Sequence, residues 1–170
     1  MTAATMTGRA HRFGDDINTD YIISGRYKFK TLDHEELAKH VLEDIDPEFY
    51  DKLHSGDFVV AGENFGCGSS REQAPLALKW AGVGAILAKS FARIFYRNAI
   101  NVGLPILITN TTQIRDGDTI VVNLEQGTIA ITGRDLTLPT HRFPPEILEI
   151  IGAGGLVEYF RKYGRWHFAD

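Results

Sequence analysis

The chain is poor in thiols: among its 170 residues only Cys67 carries one. No disulfide can form within it. It cannot hold an iron–sulfur cluster on thiolates of its own, because such clusters usually take several. Positive charge is not in surplus either. Eighteen Lys and Arg stand against 22 Asp and Glu, a net charge of −4, which argues against a nucleic-acid partner. No apolar run approaches eighteen residues, so no transmembrane helix is expected. The opening MTAATMTGRAHRF has no apolar core, so no secretory signal is expected and the cytoplasm is the expected compartment. The six histidines, at 11, 34, 40, 54, 141 and 167, show no zinc spacing. There is no internal repeat and no low-complexity segment.

What is there suits a globular chain. Apolar residues make up 44% and charged residues 24%, which is ordinary for one domain spanning 1–170 with a full core. DFVVAG, GAILA and PILIT are short apolar runs without alternation. REQAPLALKWAG and SFARIFYRNAINVG lie between them at helical period, the second with Gly103 as its stop. Residues 57–109 therefore read strand–helix–strand–helix–strand, with parallel strands covered on both faces. EELAKHVLEDI predicts a helix over 35–45, and a short one restarts after Pro47. DTIVVNLEQGTIAIT predicts a hairpin turning at Glu125–Gly127. PPEILEIIGAGGLVEYFRKYG predicts closing helix interrupted at Gly152–Gly155. The expectation is α/β, with a mixed sheet flanked by helices.

Two polar stretches stand apart from this frame. In RAHRFGDDINTD, Asp15, Asp16, Asn18 and Asp20 crowd together. Such a cluster suits a hard cation, but it lacks the rest of a calcium loop, including the terminal Glu. Asx-turns and caps are the competing explanation. In ENFGCGSSREQA, two glycines, two serines and an arginine lie between a strand end and a helix start. In open α/β sheets ligands bind there. Gly66 and Gly68 let backbone approach closely, Ser69 and Ser70 are placed to cap the helix, and Arg71 offers a fork to a carboxylate or phosphate. The stretch is not a P-loop, which needs Gly-Lys. It is not a dinucleotide fingerprint or a hydrolase elbow either, because Arg71 stands where each needs glycine. It reads as an anion site with a hydroxyl held inside it, or as a glycine-rich turn with a serine cap and a surface arginine.

Taken with AKSFARIFYRNAINVGLPIL and DDINTDYIISGRY, the stretch GENFGCGSSREQA resembles the small subunit of the aconitase superfamily. The isopropylmalate dehydratase and homoaconitase small subunits belong to that family. The resemblance covers roughly residues 10–165. It implies a swivelling β/β/α domain on a chain separate from the catalytic core. It also implies a large partner subunit carrying a [4Fe–4S] cluster, and isomerisation of a small hydroxy acid by dehydration and rehydration. Position by position, it makes Ser69 the base that takes the carbon-bound proton. It makes Ser70 a hydrogen-bonding neighbour, Arg71 a clamp on a substrate carboxylate, and Asp20 part of the site's hydrogen-bond network.

The family reads the substrate's variable group with the loop after DYIISGR, here Tyr27–Thr31. Aligned without gaps, Phe29 takes the reading position and an apolar group such as isopropyl fits. Shifted by one, Lys30 takes it and a carboxylate such as homocitrate's fits. The ungapped alignment favours isopropylmalate, with homoaconitase or an enzyme accepting both as the runner-up, and a non-catalytic anion-binding module as the reading from another class. Cys67 reads as a small buried loop residue rather than a ligand. Arg93 and Arg97, four apart, share a helix face. That face lies against the partner, positions the serine loop or is simply solvated.

Overall fold

Strand β1, Thr5–Arg12, is the pivot of the molecule. In this computed structural model, which describes residues 5–28 and 33–166, the strands after it are β2 (Phe58–Val60), β3 (Ala85–Ala88), β4 (Ile106–Ile108), β5 (Thr119–Asn123), β6 (Thr128–Ile131) and β7 (Leu136–Pro139). Their order across the sheet is β4-β3-β2-β1-β5-β6-β7. The last three residues of β1 pair parallel with β2, and β2–β3 and β3–β4 are also parallel. The first five pair antiparallel with β5, and β6 and β7 continue as a meander.

Sequence pattern misses β1, suggesting polar turns through Arg12. The reason is that only Ala10 and His11 of this strand are buried. Residues 5–9 have a single neighbouring strand, and of their side chains only that of Met6 packs against the core, so the apolar pattern of a central strand is absent. Gly8 records the crowding here: a Cβ would lie 2.3 Å from the Gly56 carbonyl oxygen.

The predicted strand–helix–strand–helix–strand is present. Helix α5 (Gln73–Ala81) joins β2 to β3, and α6 (Arg93–Asn101) joins β3 to β4. Both crossovers step the same way along the sheet, so the right-handed rule puts both helices on one face. The other face is closed by the sheet itself. Thr109 Oγ1 donates to the Pro139 carbonyl and Thr140 Oγ1 to the Ile108 carbonyl, each at 2.9 Å. These bonds clasp the β4 end to the β7 end. The core residues of both halves form one hydrophobic cluster.

Among the short helices are α1 (Thr19–Ile22), α2 (Gly25–Lys28), α3 (His34–Lys39) and α4 (Phe49–Lys52). The helix expected over 35–45 stops at Lys39. Leu42 takes φ +57°, and its N–H turns to the Ile22 carbonyl at 3.0 Å. That tertiary bond, invisible to periodicity, ties the segment to α1. The closing helices are α7 (Pro145–Ala153) and α8 (Leu156–Tyr163), broken at Gly154 and Gly155 as expected.

At the start of β2 lies a buried histidine–aspartate pair. His11 Nε2 and Asp57 Oδ2 are 2.8 Å apart, and Asp57 also accepts the Arg9 and His54 N–H groups at 2.9 and 3.0 Å. Burial pushes the Asp57 carboxyl up, but the bonds from His11, Arg9 and His54 outweigh it and hold it below its usual range. A lowered folded pKa stabilises above the unfolded pKa and is lost as pH falls through the folded one. Asp57→Asn is therefore expected to lower stability by about 2–3 kcal/mol at pH 7. That difference should begin to shrink below about pH 4, the range of the unfolded carboxyl, and go on shrinking as pH falls through the lowered folded pKa. Denaturant melts at pH 7 and pH 3 check this, and a gap that does not change with pH would contradict it.

Candidate functional site

The chain beyond β1 is laced to the chain beyond β2. Phe13 N–H donates to the Val60 carbonyl at 2.7 Å, Gly62 to Gly14 at 3.0 Å and Asp16 to Glu63 at 2.9 Å. Gly66 then donates to Ile17 at 2.7 Å and Thr19 to Cys67 at 2.9 Å. The segment beyond β3 joins from the other side, with Lys89 N–H on the Gly62 carbonyl and Ala92 N–H on that of Phe65, both at 2.9 Å. Three connections thus meet at the carboxyl ends of the parallel strands, where open α/β sheets bind ligands.

This lacing accounts for the acidic cluster. Asp15 Oδ1 accepts the Glu63 N–H at 2.7 Å, and Asp16 Oδ1 accepts Asn64 Nδ2 at 2.9 Å. Asn18 caps α1 by accepting the Tyr21 N–H at 2.9 Å. Asn18 is a cap, as the turn-and-cap reading expects, whereas Asp15 and Asp16 tie this segment to residues 63 and 64 across the site.

The lacing also brings Asp20 to Arg71. Asp20 Oδ1 and Arg71 Nη1 are 2.5 Å apart, across fifty-one positions of sequence. The guanidinium is largely covered, while the carboxylate is more than half exposed. Arg71 pairs with neither Glu72 nor Glu63, the partners that a surface-arginine reading would give it. Ser69, Ser70 and Arg71 line a cavity of about 370 Å3 together with Thr19, Arg93 and Ile94.

Ser69 and Ser70 do not cap a helix. Helix α5 begins at Gln73, with Glu72 at the N-cap position and no side-chain cap bond. A helix field fades beyond its first turn. The helix end at this cavity belongs instead to α6, whose N-cap Ala92 supplies no side-chain bond. Both serines are exposed. Among the described residues no group bonds either hydroxyl, and the loop is held through backbone: Thr19 Oγ1 donates to the Ser69 carbonyl at 2.9 Å. Nothing in the sequence marks Thr19 for this role, because a threonine in NTD reads only as a turn residue.

A larger and more open cavity of about 690 Å3 lies on the same edge, lined by Arg12, Asp15, Asp46 and Lys89 among others. Its carboxylates and Arg12 are committed, leaving Lys89 as the lining charge with no side-chain partner among the described residues. Arg12 donates to the Thr111 and Ile114 carbonyls at 2.7 and 2.5 Å, and Asp15 holds Glu63. The smaller cavity keeps unengaged hydroxyls beside a cation, so it is the candidate site. Phe29 and Lys30 lie outside the described residues. Tyr27 and Lys28, expected in the same loop, end α2.

A family model described as the aconitase C-terminal domain matches residues 17–111, more than half of the chain. That span holds all three laced segments from Ile17 onward and the whole candidate site. The chain belongs to the aconitase superfamily. Among its relatives, one named 3-isopropylmalate dehydratase small subunit 2, from Archaeoglobus fulgidus, is 55% identical over 159 residues, 94% of this chain and 96% of that protein. One named methanogen homoaconitase small subunit, from Methanocaldococcus jannaschii, is 54% identical over 155 residues, 91% of each. A crystal structure described as 3-isopropylmalate dehydratase, also from that methanogen, superposes with a TM-score of 0.88 at 52% identity, covering 94% of this chain and 95% of the other. The fold of this aconitase-superfamily small subunit is therefore the family's.

The superfamily's iron–sulfur cluster does not suit the donors of this chain. The single thiol, Cys67, is half-buried, and burial and the Asp16 charge push its pKa up, against thiolate formation. Among the described residues no group of three or more His, Cys, Asp or Glu is arranged to hold a metal.

Proposed function

We propose that this chain is the small subunit of a two-subunit hydro-lyase that interconverts 2-isopropylmalate and 3-isopropylmalate by dehydration and rehydration, a step of leucine biosynthesis. The observation that carries the proposal is Arg71, held by Asp20 and lining one cavity with Ser69. Similarity to small subunits over nearly the full chain supports it. The large subunit is the partner and carries the [4Fe–4S] cluster, since the donors here do not fit one.

Ser69 takes the proton from the carbon beside a substrate carboxylate, and returns one in the hydration half-reaction. Arg71 binds that carboxylate through the guanidinium edge not used by Asp20, and one such bond contributes about 1.5–3 kcal/mol. Asp20 fixes the rotamer of Arg71. Ser70 bonds the bound acid. A serine hydroxyl is a weak base until its surroundings favour the anion. Here no helix N-terminus caps Ser69, and its hydroxyl has no partner among the described residues. The activation therefore comes with closure by the large subunit, which removes water and strengthens every local charge.

Phe29 reads the isopropyl group in this proposal. The second reading is homoaconitase with Lys30 as the reader, favoured by the homoaconitase small subunit's 54% identity, close to the 55% of the dehydratase. The test is kcat/KM for 3-isopropylmalate against the homocitrate–homoaconitate pair, with the anaerobically reconstituted complex. A preference of at least about tenfold, or 1.4 kcal/mol, for isopropylmalate is expected. The reverse preference would move the assignment to Lys30 and the tricarboxylic acids, and turnover of neither would end the proposal.

A further inference from the structure

The candidate site holds two guanidinium groups in different states. Arg71 is bonded to Asp20 and mostly covered. Arg93, the first residue of α6, lines the same cavity and is exposed, and among the described residues it has no carboxylate or hydrogen-bond partner. We infer that Arg93 binds a second carboxylate of the substrate. The inference rests on the hydro-lyase reading above.

Charge supports this assignment. Asp20 and Arg71 together are neutral, so a diacid entering the cavity meets no net attraction from that pair. Arg93 supplies the one unneutralised charge among these three groups, and among the described residues nothing accepts from its five donors. Position supports it too. Arg71 comes from the connection after β2 and Arg93 from the connection after β3, so the two forks approach one cavity from separate elements. A cavity of about 370 Å3 has room for a short branched diacid between them. The first turn of the nine-residue α6, Arg93–Phe95, also lines the cavity, with no side-chain cap on its N–H groups. Arg97, one turn on, is not part of this arrangement. It lines a separate groove with Tyr96, His141 and Phe143, so the shared helix face divides between two places.

Two other roles would leave Arg93 equally unpaired: a solvated surface cation, and a docking contact for the large subunit beside the exposed Ile94. Kinetics separate them. Arg93→Gln and Arg93→Lys would each be reconstituted with the wild-type large subunit, and kcat, KM and subunit affinity measured independently. Arg93 makes no hydrogen bond or ion pair among the described residues, so both variants are expected to fold and melt like wild type. Arg93→Gln is expected to raise KM about 10- to 100-fold, as loss of one charge-assisted bond does, with kcat changed by less than a few fold. Lysine should restore part of the loss, as a charge without the fork. An unchanged KM would overturn the inference. So would a loss that vanishes at saturating large subunit, which would make Arg93 a docking residue. Ser69→Ala run alongside separates the two readings. If that variant is inactive while Arg93→Gln keeps its KM, only this inference fails. If Ser69→Ala stays active, the hydro-lyase assignment of the site fails with it.

Discussion

Replacing Ser69 with alanine is expected to reduce kcat of the reconstituted complex by roughly 10³-fold or more, the scale of losing a general base. The melting temperature and the affinity for the large subunit should stay unchanged. The structure makes this a clean experiment. The hydroxyl of Ser69 bonds nothing among the described residues, whereas its carbonyl accepts the Thr19 hydroxyl at 2.9 Å and holds the loop. Alanine removes the former and keeps the latter. The side chain is exposed, so no cavity is left behind. Retained turnover would remove Ser69 from the chemistry. Loss of association with the large subunit would show that the residue serves the interface instead.

The second large effect lies one turn of loop earlier. Gly66 has φ +80°, and a Cβ placed on it would sit 2.1 Å from Phe95 Cγ and 2.4 Å from Phe95 Cβ. Phe95 cannot give way easily. It is 2% exposed, and its ring meets Phe65 edge-on with centroids 5.3 Å apart. Gly66→Ala must shift the start of α6 or the serine loop, in addition to straining the backbone. A loss of about 3 kcal/mol or more is expected, which for a chain of this size lowers Tm by roughly 6–12 °C. Activity should fall with it, since both walls of the cavity move. Gly68 is the internal control. It also has positive φ, +92°, but its nearest neighbours lie 3.6 Å away. Gly68→Ala should cost only the backbone term of about 1–2 kcal/mol. Equal losses at the two positions would show that strain, not the Phe95 contact, sets the effect.

Much of the parallel half is legible in the sequence. DFVVAG, GAILA and PILIT carry unbroken apolar runs, the pattern of strands buried on both faces. The loop ENFGCGSSREQA stands out because its glycines and hydroxyls fall between a strand and a helix. Less is legible where one element serves two environments. Strand β1 has only Ala10 and His11 inside, so its polar outer positions mask it. Helix α3 stops short of its apolar stripe because the Leu42 N–H is spent on Ile22. Ser69 and Ser70 stand in cap-like positions by spacing, yet α5 does not begin until Gln73.

The sequence by itself determined the family, the parallel order of strands from 57 to 109 and the residue types of the site. These follow from local periodicity and from three motif blocks in a fixed order along the chain. The tertiary structure decided which groups meet. Asp20 and Arg71 are fifty-one positions apart and become partners only because the loops beyond β1 and β2 are laced by backbone hydrogen bonds. It also decided that α6, not α5, turns its amino end to the cavity, and that Arg93 enters the cavity while Arg97 leaves it. Spacing along a chain sets which residues share a face of one helix or strand. Which face meets which depends on the packing of many distant contacts at once, and no local pattern records that.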